Sequence, residues 1–456
     1  MHKINFSADE LVFALLNLKQ EQDVCILDSC GVNHLNSHLL IAGICPVETL
    51  QITNKNPNKT LKTLDEKLSR RHLASIFTIS YDFGLKLENI KPRKKEFPAF
   101  DEPDFFLAFF DCLIFHDYNF YKTYLVGNEK KFDEIEKILY ESFNDGAKRA
   151  NIKPKFAAQV SSNFTRKSYI AAIEKIKEYI RQGDTYQVNL TQQLRAELPK
   201  NLMPQEIFQR LRKEHSAPFA AFLKRENNLV LSISPERFIK VQNPKSKVQS
   251  RVIETSPIKG TRPRGNTPAE DLNLRKELLS SEKDHAENVM IVDLLRNDIG
   301  RICQFGSVEV VKLCDLEEHP TLFHLVSTIK GELRENLKFS DIIRAVFPCG
   351  SITGAPKIRT MQIIDELETA TRGLSMGAIG YLIPDSRFQI PDSETFNSFD
   401  MNVAIRTMVI RGRKAIFNVG GGITINSVPD DEFEESLLKA KALLIALGAD
   451  VQNEML

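Results

Sequence analysis

The segment Ser256 to Gly265 reads SPIKGTRPRG and places a lysine between isoleucine and glycine in a tight bend. Bends ordinarily carry Asn, Asp or Ser. Lys259 is therefore either a solvent-facing charge or a reactive amine, and a neutral amine is a nucleophile. Carboxylates stand elsewhere at helical spacing. In SVPDDEFEESLLKAKALLIALG, Glu432, Glu435 and Lys439 fall at i, i+3 and i+7 and share one face of a helix. That face is compatible with a solvated ion pair or with a cation site. In SSEKDHAENVMIVDLLRNDIGR, Asp284 and Glu287 are i, i+3 neighbours. Ser281 pairs with Asp284 as a cap and accounts for it, which leaves Glu287 without a structural task. Carboxylates from two helices suit Mg²⁺, which takes hard oxygen ligands from one or two carboxylates, water and an anionic substrate.

Gly420, Gly421 and Gly422 follow a β-like segment. Three glycines there cost conformational entropy, and they fit either a bulged edge or the close approach of another backbone or a ligand. Adjacent N–H groups of such a run suit a carboxylate. Arg406 alternates with Val403, Ile405 and Val409, and a half-buried arginine requires an anion from protein or ligand. GSITGAPK, Gly350 to Lys357, does not meet the phosphate-loop pattern, because three residues separate its glycines and no lysine follows the second.

The elements that must position these residues are legible in part. Ser7 and Glu10 form a capping box ahead of Leu11, Val12, Leu15 and Leu16. Phe132, Ile135, Ile138, Leu139 and Phe143 form a helical stripe, and GAKRANIKPKFAAQVSSNFTRKS after it reads as a linker. NIKPRKKEFP joins two earlier pieces. The linker divides the chain into an N-terminal domain, 1–150, and a second domain, 165–450. A helix is predicted from Ser168, with Ile173, Ile176 and Ile180 on one side and Gly183 at its end. TYQVNLTQQL and NLVLSISPERFIKV read as strands. FDMNVAIRTMVIRGRKAIFNV reads as two strands about a turn at Gly412, continued by GGGITI. Helices are predicted from about Ser281 to Asp298 and from about Asp430 to Leu447, the latter with a core stripe of Phe433, Leu437, Ala440, Leu444 and Leu447. Hairpins mixed with separated helices imply an α+β fold with antiparallel sheets.

The 456 residues carry 61 basic and 60 acidic side chains, a net charge of +1. Such balance gives no support to nucleic acid or an anionic membrane as partner. No run approaches the roughly 18 apolar residues of a membrane span, and the N-terminus lacks a secretory pattern. Seven cysteines without a CxxC pair read as buried thiols of a cytoplasmic protein in a reducing compartment.

Together, YQVNLTQ, SPERF, PIKGTRPRG, AENVMIVDLLRNDIGR, HPTLFHLVSTIKGEL, GSITGAPK, GAIGYL, NVAIRT, GGGIT and SVPDDEFEES resemble the chorismate-utilising enzymes, the family of the anthranilate synthase and aminodeoxychorismate synthase large components. The motifs keep the family order from about 165 to 450. The resemblance implies two packed antiparallel sheets flanked by helices, and a Mg²⁺-dependent site for chorismate. It implies Glu287 and Glu435 as metal ligands, with Glu432 beside them acting through water. It assigns the substrate carboxylates to Arg406, Tyr381, Lys439 and the amides of Gly420, Gly421 and Gly422, with Ser351 of GSITGAPK also lining the substrate. His324 matches the active-site histidine, and Glu236 of SPERF the general acid, which requires burial to raise its pKa to around 6–7. Asp284 stands where anthranilate synthases often carry glutamate.

Water-adding relatives carry lysine at the position of Gln187, so water addition is disfavoured. Anthranilate synthases typically read PIAGT where this chain reads PIKGT. Lys259 thus resembles the aminodeoxychorismate synthase pattern, which implies a covalent lysine step and amination at C4 by ammonia from a separate glutamine amidotransferase subunit, toward p-aminobenzoate and folate. The alternative is anthranilate synthase, amination at C2 with pyruvate release. A salicylate synthase is opposed by Gln187, and a catalytically dead binding subunit by the joint presence of Glu236, Lys259, Glu287, His324 and Glu435. Leu27, Asp28 and Ser29 match an N-terminal element that lines a tryptophan pocket in relatives, with Asp where regulated members carry Glu.

Overall fold

A computed structural model describes the chain except for residues 33, 36, 70–72, 98–99, 150–157, 244–249, 319–321, 384–387, 389–397 and 450–456. Its architecture is α+β, as the sequence predicts: a 12-stranded and a 10-stranded antiparallel sheet, flanked by helices. The run FFLAFF explains how the layers stack. Strand Phe105–Phe110 is buried along its whole length. Side chains alternate across a strand, so Phe105, Leu107 and Phe109 enter the core under the helices. Phe106, Ala108 and Phe110 enter the core between the sheets, against Cys25, Ile41 and Leu113 of the other sheet. A strand covered on both faces reads as a continuous apolar run.

Segments 1–150 and 165–450 are separated along the chain, but both give strands to both sheets. Strand Val24–Asp28 pairs with Phe219–Arg225, Asp28 facing Ala220, in the larger sheet. Strand Ala74–Ile79 pairs with Ala378–Ile383, Ile79 facing Ala378, in the smaller. The buried Arg225 guanidinium meets Glu102 in a two-pronged ion pair at 2.6 and 2.9 Å, tying the segments across the sheets.

Several local expectations are corrected. The helix Arg166–Arg181 is capped by Thr165, and Ser168 is its third residue, reciprocating the cap. The predicted linker contains strand Gln159–Ser162, which pairs with Leu194–Glu197. Its residues 150–157 lie outside the described residues. NLVLSISPERFIKV is two strands, Asn228–Ser234 and Arg237–Gln242, in different sheets. FDMNVAIRTMVIRGRKAIFNV holds three: Ser398–Val403 in the smaller sheet, then the hairpin of Thr407–Arg411 and Lys414–Ile423 about Gly412 in the larger. In both cases the chain crosses between sheets at a point that no local periodicity marks. The helix after Ser281 runs Glu282–Gly300, capped by that serine, and the last helix runs Pro429–Ala446. No helix among the described residues is long and apolar enough to cross a membrane.

Candidate active site

Glu236 occupies the step between Asn228–Ser234 and Arg237–Gln242, where the chain leaves one sheet for the other. It is buried, and its Oε1 has no hydrogen-bond partner. Burial pushes its carboxyl from 4.5 up to about 7, against the opposing pull of the Ser351 hydroxyl, Lys259, the Ile258 amide and Lys439. Near neutrality it therefore holds a proton for a substantial part of the time, the condition for a general acid.

Lys259 lies on strand Ile258–Pro263, half-buried. Gly260 after it has φ +83, and a Cβ there would come within 2.9 Å of Leu278 and 3.0 Å of Asp284. Glycine thus lets the strand lie directly on the Glu282–Gly300 helix and brings Lys259 toward its acidic face. Among the described residues the Lys259 ammonium makes no hydrogen bond or ion pair. Its charge nonetheless draws down the carboxyls of Glu236, Glu287 and Glu435. It is the cation common to all three.

Burial raises the Glu287 carboxyl, opposed by Lys259 and Lys283 and reinforced by Glu432 and Asp284. Glu432 is buried; its Oε1 accepts from Ser427 at 2.6 Å and lies 3.3 Å from the Lys283 ammonium. Burial acts to raise the Glu435 carboxyl, but Lys439, at 2.7 Å, together with Lys283 and Lys259 brings it below its ordinary value. Lys439 also donates to the Gly420 carbonyl at 3.0 Å. Asp284 is engaged structurally: its N–H meets the Ser281 cap, and its carboxylate lies 3.3 Å from Arg262.

The glycine run is a contact surface. Gly420, Gly421 and Gly422 lie on Lys414–Ile423, opposite Thr191, Leu190 and Asn189 of strand Gln187–Glu197. A Cβ on Gly420 would strike the Leu190 carbonyl at 1.9 Å, and one on Gly422 the Gln187 amide at 2.2 Å. On Gly421 it would crowd Glu432 Oε2 at 3.3 Å and Lys439 Nζ at 3.4 Å. The Gln187 amide is buried with neither its oxygen nor its nitrogen hydrogen-bonded, and Asn189 Oδ1 is likewise unpaired. Buried polar groups are ordinarily satisfied, so this wall has the character of a surface shaped for a polar ligand.

His324, on strand Leu322–Glu332, pairs in register with Thr261, and its Nδ1 lies 2.9 Å from the Thr261 hydroxyl. Ser351 sits in the turn Gly350–Ile352, 3.3 Å from Cys349 Sγ and beside Glu236. Lys357 of the same motif is bound by Asp298 and the Val346 carbonyl at 2.9 Å. Arg406 is not on a strand. It stands between Ser398–Val403 and Thr407–Arg411 at φ +47, a left-handed conformation that a non-glycine residue adopts at a cost. Its carbonyl accepts from Ile233, three residues before Glu236. Burial lowers its guanidinium pKa, and no carboxylate of the described residues pairs with it. A strained, desolvated cation without a protein anion is suited to an anionic ligand.

Tyr381 lies elsewhere. Its register opposite Asp400 and Ile76 turns it into a cavity of about 430 Å³ between the sheets, with Leu27, Asp28, Ser29, Arg237 and Asp400. None of Lys259, Glu236, Glu287 or Glu432 lines that cavity. Strand alternation sets which face a tyrosine takes, and that required the register. Within the cavity, Asp28 is bound by Arg212 at 2.6 Å, Tyr118 at 2.7 Å and the Cys30 amide at 2.8 Å, while Ser29 Oγ is unpaired.

Among the described residues no group of three or more His, Cys, Asp or Glu side chains is arranged to hold a metal ion. Glu287 and Glu435 nevertheless offer hard oxygen donors from two helices, the donor chemistry of Mg²⁺. Lys283 and Lys439 balance the acidic group. Lys283 was not singled out in the sequence, although its i, i+4 relation to Glu287 is visible there.

Comparison with known proteins identifies the family. The family model for chorismate binding enzymes matches residues 22–445. Aminodeoxychorismate synthase component 1 of Bacillus subtilis (strain 168) is 36% identical over 378 residues, 81% of this chain and 76% of that one. Anthranilate synthase component 1 of Aquifex aeolicus (strain VF5) is 35% identical over 397 residues, 84% of this chain and 76% of the relative. The crystal structure of anthranilate synthase component I from Streptococcus pneumoniae TIGR4 superposes with a TM-score of 0.72 at 27% identity, covering 91% of this chain and 93% of that one. The chain belongs to the chorismate binding enzyme family.

Proposed function

We propose that the chain is the chorismate-aminating component of an aminodeoxychorismate synthase. The observation that carries this reading is an unbound Lys259 amine within electrostatic reach of the buried Glu236, whose carboxyl is pushed up to about 7. The substrate's carboxylates would be held by Arg406, Lys439 and the glycine wall. Glu287 and Glu435 would hold Mg²⁺, which supplies positive charge for a ring carboxylate. After its ammonium gives a proton to solvent, Lys259 forms a C2–N bond, the two ring double bonds each shift one position, and the C4–O bond breaks. Glu236 gives its proton to the departing oxygen, and water leaves. Ammonia then attacks C4, the double bonds shift back, and the C2–N bond breaks to return the lysine amine. Two such displacements place nitrogen at C4, whereas direct addition without the lysine would place it at C2.

A partner glutamine amidotransferase would supply the ammonia, and ammonium salts replace it in an assay. The seven free thiols suit a reducing cytoplasm. The test is incubation of the purified chain with chorismate, Mg²⁺ and ammonium, with NMR to locate the new nitrogen. Nitrogen at C4 is expected, and Lys259→Ala should slow its appearance by at least about 10³-fold. Nitrogen at C2 with pyruvate release would instead identify an anthranilate synthase, and undiminished C4 amination by the variant would remove the covalent step.

A further inference from the structure

Arg372 is buried, and four of its five N–H donors are committed to protein acceptors. Nε and NH2 bond the Glu368 carboxylate at 2.9 and 2.7 Å. NH1 donates to the Ile352 carbonyl at 2.9 Å, and NH2 also to the Asn189 carbonyl at 2.7 Å. The guanidinium carbon lies 4.4 Å from the centre of the Tyr81 ring. Glu368 in turn accepts from the N–H and hydroxyl of Thr191 at 2.8 and 2.9 Å.

The two carbonyls are informative. Ile352 directly follows Ser351, which stands beside Glu236. Asn189 lies two residues past Gln187 and faces Gly422 in register. One planar fork therefore bridges the turn behind the proton donor and the wall of unpaired amides. The same turn is pressed onto that strand at Gly354, where a Cβ would fall 2.0 Å from the Gln187 carbonyl. So tight a contact transmits a shift rather than absorbing it.

We propose that Arg372 is a positioning residue that fixes the Ser351 turn against the Gln187–Gly422 wall and thereby sets Glu236 against the bound substrate. The proposal rests on the chorismate-aminating reading. Lysine cannot replace the arginine, because a single ammonium on a flexible stem lacks the fork that reaches Glu368, Ile352 and Asn189 at once.

The test is the pH profile of ammonium-dependent chorismate turnover in Arg372→Lys. A loosened turn withdraws Ser351 from Glu236 and removes a group that holds its carboxyl down. The other charges facing Glu236, Lys259 from its strand and Lys439 from the last helix, remain, as does the neighbouring Cys349 thiol. The alkaline limb should move to higher pH, and kcat should fall by about 10- to 100-fold with KM little changed. A loss of activity that merely tracks the folded fraction, with the limb where the parent has it, overturns the proposal. If Arg372→Lys fails to fold, the neutral pair Glu368→Gln with Arg372→Met is read in the same way. A parent inactive on chorismate overturns the functional reading and this proposal together; an active parent with an unmoved limb in the variants overturns this proposal alone.

Discussion

At the scale of single residues, Glu236 joins a proposed catalytic role and a cost in stability in one group. Its carboxyl pKa rises on folding, from 4.5 to about 7, so the folded state binds the proton more tightly than the unfolded chain. Stability from this group is fully present below 4.5 and is lost as pH climbs through about 7. Glu236→Gln cannot ionise. It should match the parent's urea denaturation at acid pH and exceed it by ~3 kcal/mol above neutrality. The same variant should lose about 10²–10⁴-fold in kcat. Parental stability at alkaline pH would contradict the burial account. The residues sought in the sequence divide by position: Glu236, Glu287 and Glu435 each lie within electrostatic reach of Lys259. Tyr381 does not join them, because a tyrosine's face depends on pairing with Asp400 and Ile76, contacts remote in the chain. Arg406 was readable as an arginine needing an anion, but not as one held at φ +47 between two sheets.

At the scale of elements, caps and close approaches decide position. The Glu282–Gly300 and Pro429–Ala446 helices were legible because Ser281 and a regular apolar stripe mark them. Strand Gln159–Ser162 was not, since four largely polar residues on a sheet edge carry no alternation strong enough to read. The glycine run was legible as a place of close approach, though what approaches was not. It is the Leu190 carbonyl at Gly420 and the acidic helix at Gly421. Gly420→Ala meets rigid backbone and should destabilise the chain by about 1–3 kcal/mol. Gly421→Ala meets the ends of side chains and should cost clearly less. Urea midpoints of the two variants check the ranking, and equal midpoints would refute it.

At the scale of the whole molecule, the α+β class and paired antiparallel sheets were legible from the mixture of hairpins and helices and from the family resemblance. The weave was not. Nothing local in NLVLSISPERFIKV announces that its halves enter different sheets. The Arg225–Glu102 pair is one of the ties that hold the weave together, with side chains 1% and 5% exposed. Glu102→Ala would strand a buried guanidinium and should cost ~3–5 kcal/mol in urea unfolding. A loss within error of zero would show that the pair is dispensable.

The pairing of residue 28 with residue 220, and of residue 79 with residue 378, governs the order of events at the ribosome. The nascent chain presents the open edge of Val24–Asp28 until Phe219–Arg225 has emerged, and that of Ala74–Ile79 until nearly the whole polypeptide has been made. Unpaired edges beside bare phenylalanines are templates for association between chains. Slower, cooler synthesis with ample chaperone is therefore expected to raise the yield of folded chain, by shortening the exposure of those edges to one another.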